Sequence, residues 1–231
     1  MQKIIKTLLD DFRNAQNIDE SETESKAFEY FCAYLTIGSI AENTSTTAHT
    51  VVGADSQPSV DAIGIIVNGN LIENEDEIDT YISINNYLDV DFVFVQAKTS
   101  ENFDSLVLGD LGAFADSFIE EDKCGIDRKE VARIRKIKNK IYKESKYFKR
   151  RNPAVHIYYV TTGSQPSNDP NFAKKINHIK ETFTGHSNTN KCYINLMGAR
   201  EIQELKRTLD NSIEREIEFS KRIPPATDIR N

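Results

Sequence analysis

Four runs of β-branched and aromatic residues, separated by helix-length segments, set the strongest limit on how this chain folds. The runs are AIGIIV (62–67), FVFVQAK (92–98), AVHIYYVTT (154–162) and KCYINLM (191–197). Runs of this length and composition are typical of buried strands, and the segments between most of them have helical periodicity. With a short return strand after the first run, the predicted order is α-α-β-β-β-α-α-β-α-β-α. The sequence therefore predicts a mixed-sheet α/β domain flanked by helices.

The first half of the sheet is predicted to be a three-strand antiparallel meander, followed by βα units. Asn68 and Gly69 favour a hairpin turn between the first run and the return strand. Residues 73–91 hold seven acidic residues and no basic residue, and 73–79 is predicted to be an exposed loop. At the N-terminal side, Ser21 and Glu24 predict a capping box for the second helix.

Length and composition indicate one main domain. With 231 residues, 39% of them hydrophobic, the chain is large enough for one substantial core. We expect an N-terminal helix in 1–20, the main domain in 21–221, and a polar tail in 222–231 that leads towards a further domain. No apolar run is long enough to span a bilayer, and the three cysteines have no paired spacing. A cytoplasmic protein without a membrane partner is expected.

Charge is distributed unevenly along the chain. The net charge is −7, yet residues 128–151 contain twelve basic residues and two acidic ones. Such a segment is typical either of a surface that contacts a polyanion or of a solvated amphipathic helix. On the first interpretation Arg133, Arg135, Lys136 and Lys140 contact the phosphates of a nucleic acid.

One of the predicted buried strands ends in polar residues. Gln96 and Lys98 follow FVFV at spacing i, i+2, so both side chains lie on one face of the strand. Asp61 opens the neighbouring strand, and in an antiparallel pair the start of one strand lies beside the end of the other. Asp61, Gln96 and Lys98 are therefore expected to converge. Carboxylate and amide oxygens are ligands that Mg²⁺ prefers, and a lysine beside them could orient or deprotonate a water or offset charge at a phosphate.

The pattern "SVDAIGIIVNG … FVFVQAKTS" resembles the PD-(D/E)XK restriction-endonuclease-like superfamily, in the Q-x-K variant of Mrr-type nucleases. More closely, it is similar to the N-terminal region of the abortive phage infection (AIPR) proteins. The resemblance implies a restriction-endonuclease-like core and a metal-dependent nuclease that acts in bacterial defence against phage. The substrate it implies is nucleic acid, DNA rather than RNA, and the cofactor is Mg²⁺ with Mn²⁺ as the substitute.

Carried over residue by residue, the resemblance assigns a role to each polar position. Asp61 and Gln96 would hold the metal together with the Ala97 carbonyl, and Lys98 would be the catalytic lysine. Glu29 in "AFEYF" matches the glutamate of the first core helix and would position a water or bind a second ion. The sequence departs from the family in its longer gap between Asp61 and Gln96, and Gln in place of an acid removes one negative charge.

Two other classes of function stay open from the residues alone. One is a non-catalytic nucleic-acid-binding module on the same fold, and the other is a protein–protein interaction domain. On these interpretations Asp61 is a strand-entry residue, Gln96 and Lys98 form a solvated strand end, and Glu29 is a surface residue. A second copy of the chain or a further domain is the additional partner expected.

Overall fold

The computed structural model describes residues 1–42, 50–52, 60–120, 129–166 and 169–220, with the backbone alone at 130 and 212–220. Five strands and seven helices are assigned in these ranges, with a short 3₁₀ turn at Ser145–Tyr147. In chain order they are α1 (Lys3–Ala15), α2 (Glu24–Gly38), β1 (Ala62–Val67), β2 (Asn70–Leu71), α3 (Asp76–Asn85), β3 (Val90–Lys98), α4 (Ser105–Glu120), α5 (Lys129–Lys143), β4 (Ala154–Thr161), α6 (Pro170–Gly185), β5 (Cys192–Met197) and α7 (Ala199–Ser220).

The strands form one mixed sheet in the order β2-β1-β3-β4-β5. β1 is antiparallel to both of its neighbours, β2 and β3. β3, β4 and β5 run parallel to one another, as strands joined through helices do. The predicted mixed α/β architecture is confirmed at this level.

Helices cover both faces of the sheet and create two apolar layers. One layer combines α1, α2 and α7 with Val93, Val95 and Ala97 of β3. The other combines α3, α4, α5 and α6 with Phe92 and Phe94 of the same strand. Because side chains alternate along a strand, Gln96 and Lys98 continue the face of Phe92 and Phe94, on the side of α4 and α6.

The predicted meander is wrong. The hairpin turn forms as expected, with Asn68 and Gly69 at positive φ (51° and 83°), but β3 pairs on the opposite side of β1 from β2. The acidic segment predicted to be a loop contains α3 instead. Acids in its first turn suit the positive end of the helix dipole, and Ile78 is buried against the core. This helix carries the chain across to the other edge of β1.

Two smaller expectations about helices also need correction. Thr23, not Ser21, caps α2: its side chain accepts the Lys26 N–H. Gly109 and Gly112 predict an interruption in the helix that follows β3, but α4 is continuous through both. A Cβ at Gly112 would lie 2.6 Å from the Ile179 side chain, so the glycine permits close packing against α6.

The N-terminal helix packs with the rest of the main domain. Phe12 of α1 contacts Phe31 of α2, with 5.2 Å between the ring centroids, and both belong to the same apolar layer. Within the described ranges, no helix is long and apolar enough to cross a membrane. The proposed tail at 222–231 lies outside the described residues.

Candidate active site

Asp61 meets the end of β3 through its backbone and through its side chain. Its N–H donates to the Val95 carbonyl at 2.8 Å, directly before the first β1–β3 pair, which is Ala62 with Val95. Its Oδ2 accepts the Ala97 N–H at 2.7 Å and a second hydrogen bond from Gln96 Nε2. The structure thus brings together Asp61 and Gln96, which are 35 positions apart in the sequence.

The oxygen atoms at this contact are almost cut off from solvent. Gln96 is fully buried and Asp61 is 8% exposed. Gln96 Oε1 has no hydrogen-bond partner among the described residues, and both hydrogen bonds to the Asp61 carboxylate go to Oδ2. A buried amide oxygen without a donor is costly, so it marks a position where another group is expected to bind.

Burial, together with a smaller effect of the nearby Glu29 charge, raises the pKa of Asp61 from 3.8 to about 6. The Ala97 N–H and the cations of Lys98 and Lys26 act in the opposite direction and lower the pKa. Desolvation disfavours the carboxylate because a buried charge loses its water. A bound cation would reverse this effect by stabilising the charged form.

Lys98 stands at the end of β3 beside Thr161 of β4. Its charge acts on Asp61, which places the ammonium near the carboxylate. In the described part of the chain, Lys98 is assigned no ion pair and no side-chain hydrogen bond. Its ammonium is therefore available to a ligand at this edge of the sheet.

Glu29 approaches the same site from α2. Its charge raises the pKa of Asp61, and its carboxylate pairs with Lys26 Nζ at 2.9 Å. The Glu29 side chain is 16% exposed. Because α2 packs on the opposite face of the sheet from Gln96 and Lys98, the Glu29 charge reaches Asp61 from that other face.

The Ala97 carbonyl lies on the Asp61 side of β3. Val95 and Ala97 both hydrogen bond towards Asp61, through a carbonyl and an N–H respectively. The N–H and C=O of one strand residue point to the same side, so the Ala97 carbonyl shares this direction. Among the described residues, no group of three or more His, Cys, Asp or Glu forms a metal site. The donors are instead oxygens of mixed type, which fit a hard cation such as Mg²⁺.

Lys26 is a neighbour of the site that sequence reasoning missed. It pairs with Glu29 and its charge reaches Asp61. The signal was present in the sequence, because positions i and i+3 share one face of a helix.

Cys32 lies about one turn after Glu29 on α2. It is close enough to Asp61 and Glu29 that both charges add to the effect of burial in raising the pKa of its thiol. Its thiol is inert at neutral pH.

The basic residues of α5 largely contact the protein itself. Arg133 donates to the Glu73 carbonyl, and Lys140 pairs with Asp79 of α3 at 2.7 Å. Lys136 is exposed and lines a cavity with the same acidic helix. Arg135 is partly buried. The acidic segment that was expected to be a loop therefore lies against the helix proposed to bind phosphates.

Comparison with family models, with curated proteins and with solved structures found no match for this chain.

Proposed function

We propose that this protein is a Mg²⁺-dependent nuclease of the PD-(D/E)XK type, in the Q-x-K variant, and a relative of the abortive phage infection proteins. It hydrolyses phosphodiester bonds of nucleic acid, DNA rather than RNA, in the bacterial cytoplasm during defence against phage. Mn²⁺ is expected to substitute for Mg²⁺.

The observation that carries this proposal is the contact between Asp61 and Gln96. A carboxylate and an amide are both buried, they touch, and the amide oxygen has no donor among the described residues. A strand-entry residue and a solvated strand end do not require this arrangement, since each would be hydrated. A cation held by Asp61, Gln96 Oε1 and the Ala97 carbonyl would satisfy the unpaired oxygen and offset the buried charge.

Each residue has a distinct task in the proposed reaction. Bound Mg²⁺ would supply Lewis-acid activation of water and of the phosphate. Lys98 stabilises negative charge that develops at phosphorus and orients the attacking water. Glu29, linked to Lys26, positions that water from the side of α2 or contributes to a second ion. The water oxygen bonds to phosphorus and loses one proton to solvent, one bridging P–O bond breaks, and the leaving oxygen takes up a proton from solvent.

Lys98→Ala tests this assignment. We expect cleavage of plasmid DNA with Mg²⁺ to fall by about 10²- to 10⁴-fold, the usual contribution of a positioned proton-transfer or charge-stabilising group. Metal binding, followed by calorimetric titration, should change little, because an ammonium group has no lone pair to donate. Plasmid and RNA substrates are assayed in parallel with Mg²⁺ and Mn²⁺.

Lys191→Ala is the matched control, since Lys191 precedes β5 at the opposite end of the parallel strands and lies over the Tyr193 ring. It should cleave as the wild type does. A wild type that binds metal but cleaves neither plasmid nor RNA would contradict the nuclease proposal.

One feature favours a second candidate, a non-catalytic nucleic-acid-binding module. Gln96 occupies the position where an acid is commoner, which leaves Asp61 and Glu29 as the only two carboxylates assigned to the site. A neutral amide holds a divalent cation less strongly than a carboxylate does. Nucleic-acid binding that persists without cleavage in the wild type and in Lys98→Ala alike would favour this candidate.

A further inference from the structure

An open groove lies between the N-terminal halves of α4 and α6. Its volume is about 360 Å³. The residues that line it, called the α4–α6 groove below, are Ser105, Leu106, Asn171, Lys174, Lys175 and His178. Leu106 stands at the rim of this groove and its side chain is 69% exposed.

The groove lies on the same face and at the same edge of the sheet as Lys98. β3 and β4 are parallel and in register up to Lys98 and Thr161, so the helices that follow both strands begin at this edge. A chain of aromatic contacts links the site to the groove. Tyr159, which pairs with Gln96, lies 5.1 Å from Phe103, and Phe103 lies 6.2 Å from Phe172 in the first turn of α6 (ring centroids).

The cations of the groove differ from those of α5 in what they contact. In the described part of the chain, neither Lys174 nor Lys175 is assigned an ion pair or a hydrogen bond from its ammonium group. On α5, by contrast, Lys140 pairs with Asp79 at 2.7 Å. An unpaired ammonium group can bind a phosphate directly and release its counterion, whereas a paired one must first break its ion pair with the carboxylate.

From this geometry we infer that the nucleic-acid backbone docks in the α4–α6 groove, with Lys174 and Lys175 on its phosphates. The inference deepens the proposed function, on which it rests, by naming the surface that delivers the scissile phosphate to Lys98. The exposed Leu106 side chain contacts a sugar or a base beside those phosphates. From the sequence, phosphate contact was one of two interpretations of α5, the other being a solvated amphipathic helix.

The test is a salt titration of binding to a short fluorescent DNA duplex, measured by anisotropy without divalent ions so that no cleavage occurs. The double variant Lys174→Glu/Lys175→Glu should bind about tenfold more weakly. The magnitude of the negative slope of log K against log salt should also decrease by about 2, because two phosphates are no longer neutralised by a lysine. Asp110→Lys should tighten binding, because Asp110 lines a neighbouring cavity together with Lys175 and its negative charge would no longer oppose the phosphates.

The comparison variant is Lys136→Glu/Lys140→Glu on α5. It changes the net charge of the protein by the same amount as the α6 variant does, but on a different basic surface. It should leave the salt slope nearly as in the wild type. If the salt slope becomes shallower in the α5 variant and is unchanged in the α6 variant, the inference is wrong and α5 is the helix that contacts the phosphates.

Cleavage by the wild type with Mg²⁺ distinguishes failure of this inference from failure of the nuclease proposal. If the wild type cleaves and the α6 variant binds and cleaves equally well, the groove assignment alone is wrong. If the wild type does not cleave and the α6 variant still binds more weakly, the groove assignment stands on a non-catalytic module.

Discussion

Asp61→Asn is expected to abolish both metal binding and cleavage. The substitution keeps the shape of the side chain and retains an oxygen that can accept the Ala97 N–H, but it removes the negative charge. Gln96 offers a neutral oxygen, so Asp61 supplies most of the charge that would hold Mg²⁺. Cleavage should fall by about 1,000-fold or more, because each 1.4 kcal/mol of transition-state stabilisation removed is a factor of about ten and a metal supplies several.

Cleavage of plasmid DNA and calorimetric Mg²⁺ titration measure the two effects together. Gln96→Glu is the matched variant in the opposite direction: it places a second carboxylate at the contact and should bind Mg²⁺ more tightly than the wild type does. Asp61→Asn that cleaves as fast as the wild type would show that the active site lies elsewhere. Asp61→Asn is preferred to Asp61→Ala, which would leave the Gln96 amide and the Ala97 N–H buried without an acceptor.

The same Asp61→Asn variant is expected to stabilise the metal-free protein at neutral pH by about 3 kcal/mol, because Asn does not carry the buried negative charge that raises the pKa of Asp61 to about 6. The pKa of Asp61 is raised in the folded protein from 3.8 to about 6, so the folded state binds more protons than the unfolded state in this interval. The contribution of Asp61 to the stability of the wild type therefore falls as pH rises from about 4 to about 6, and this loss is complete above that window. Asn does not ionise, so the variant does not lose this stability as the pH rises.

Urea unfolding of wild type and Asp61→Asn in EDTA, repeated from pH 4 to pH 8, measures this difference. The two proteins should be close in stability near pH 4 and diverge as the pH rises. Added Mg²⁺ should then recover stability in the wild type alone, because a ligand stabilises only the state that binds it. Parallel pH profiles for the two proteins would contradict the buried, costly carboxylate.

Local sequence pattern predicted most of the elements but not their arrangement. The hairpin at Asn68 and Gly69 follows from two residues that tolerate positive φ, and β3 follows from an uninterrupted apolar run. The prediction of an exposed loop at 73–79 was wrong because its acids resemble those of a solvated loop. The helix α3 is held by the buried Ile78, by Tyr81 and Ile82, which pack against the same core, and by the contact of Asp79 with Lys140 of α5. A local pattern does not contain these contacts.

From the sequence alone it follows that Gln96 and Lys98 share one face at the end of a strand, because the two-residue repeat of a β-strand allows nothing else. The antiparallel pairing of two adjacent runs also predicted that Asp61 would lie near them. Only the packed fold shows that Asp61 and Gln96 are buried in contact. It also shows that Lys140 of α5 pairs with Asp79 of α3, whereas among the described residues Lys174 and Lys175 form no ion pair. Burial and charge pairing depend on elements far apart in the chain, and these come together only when the sheet and its two layers of helices have packed.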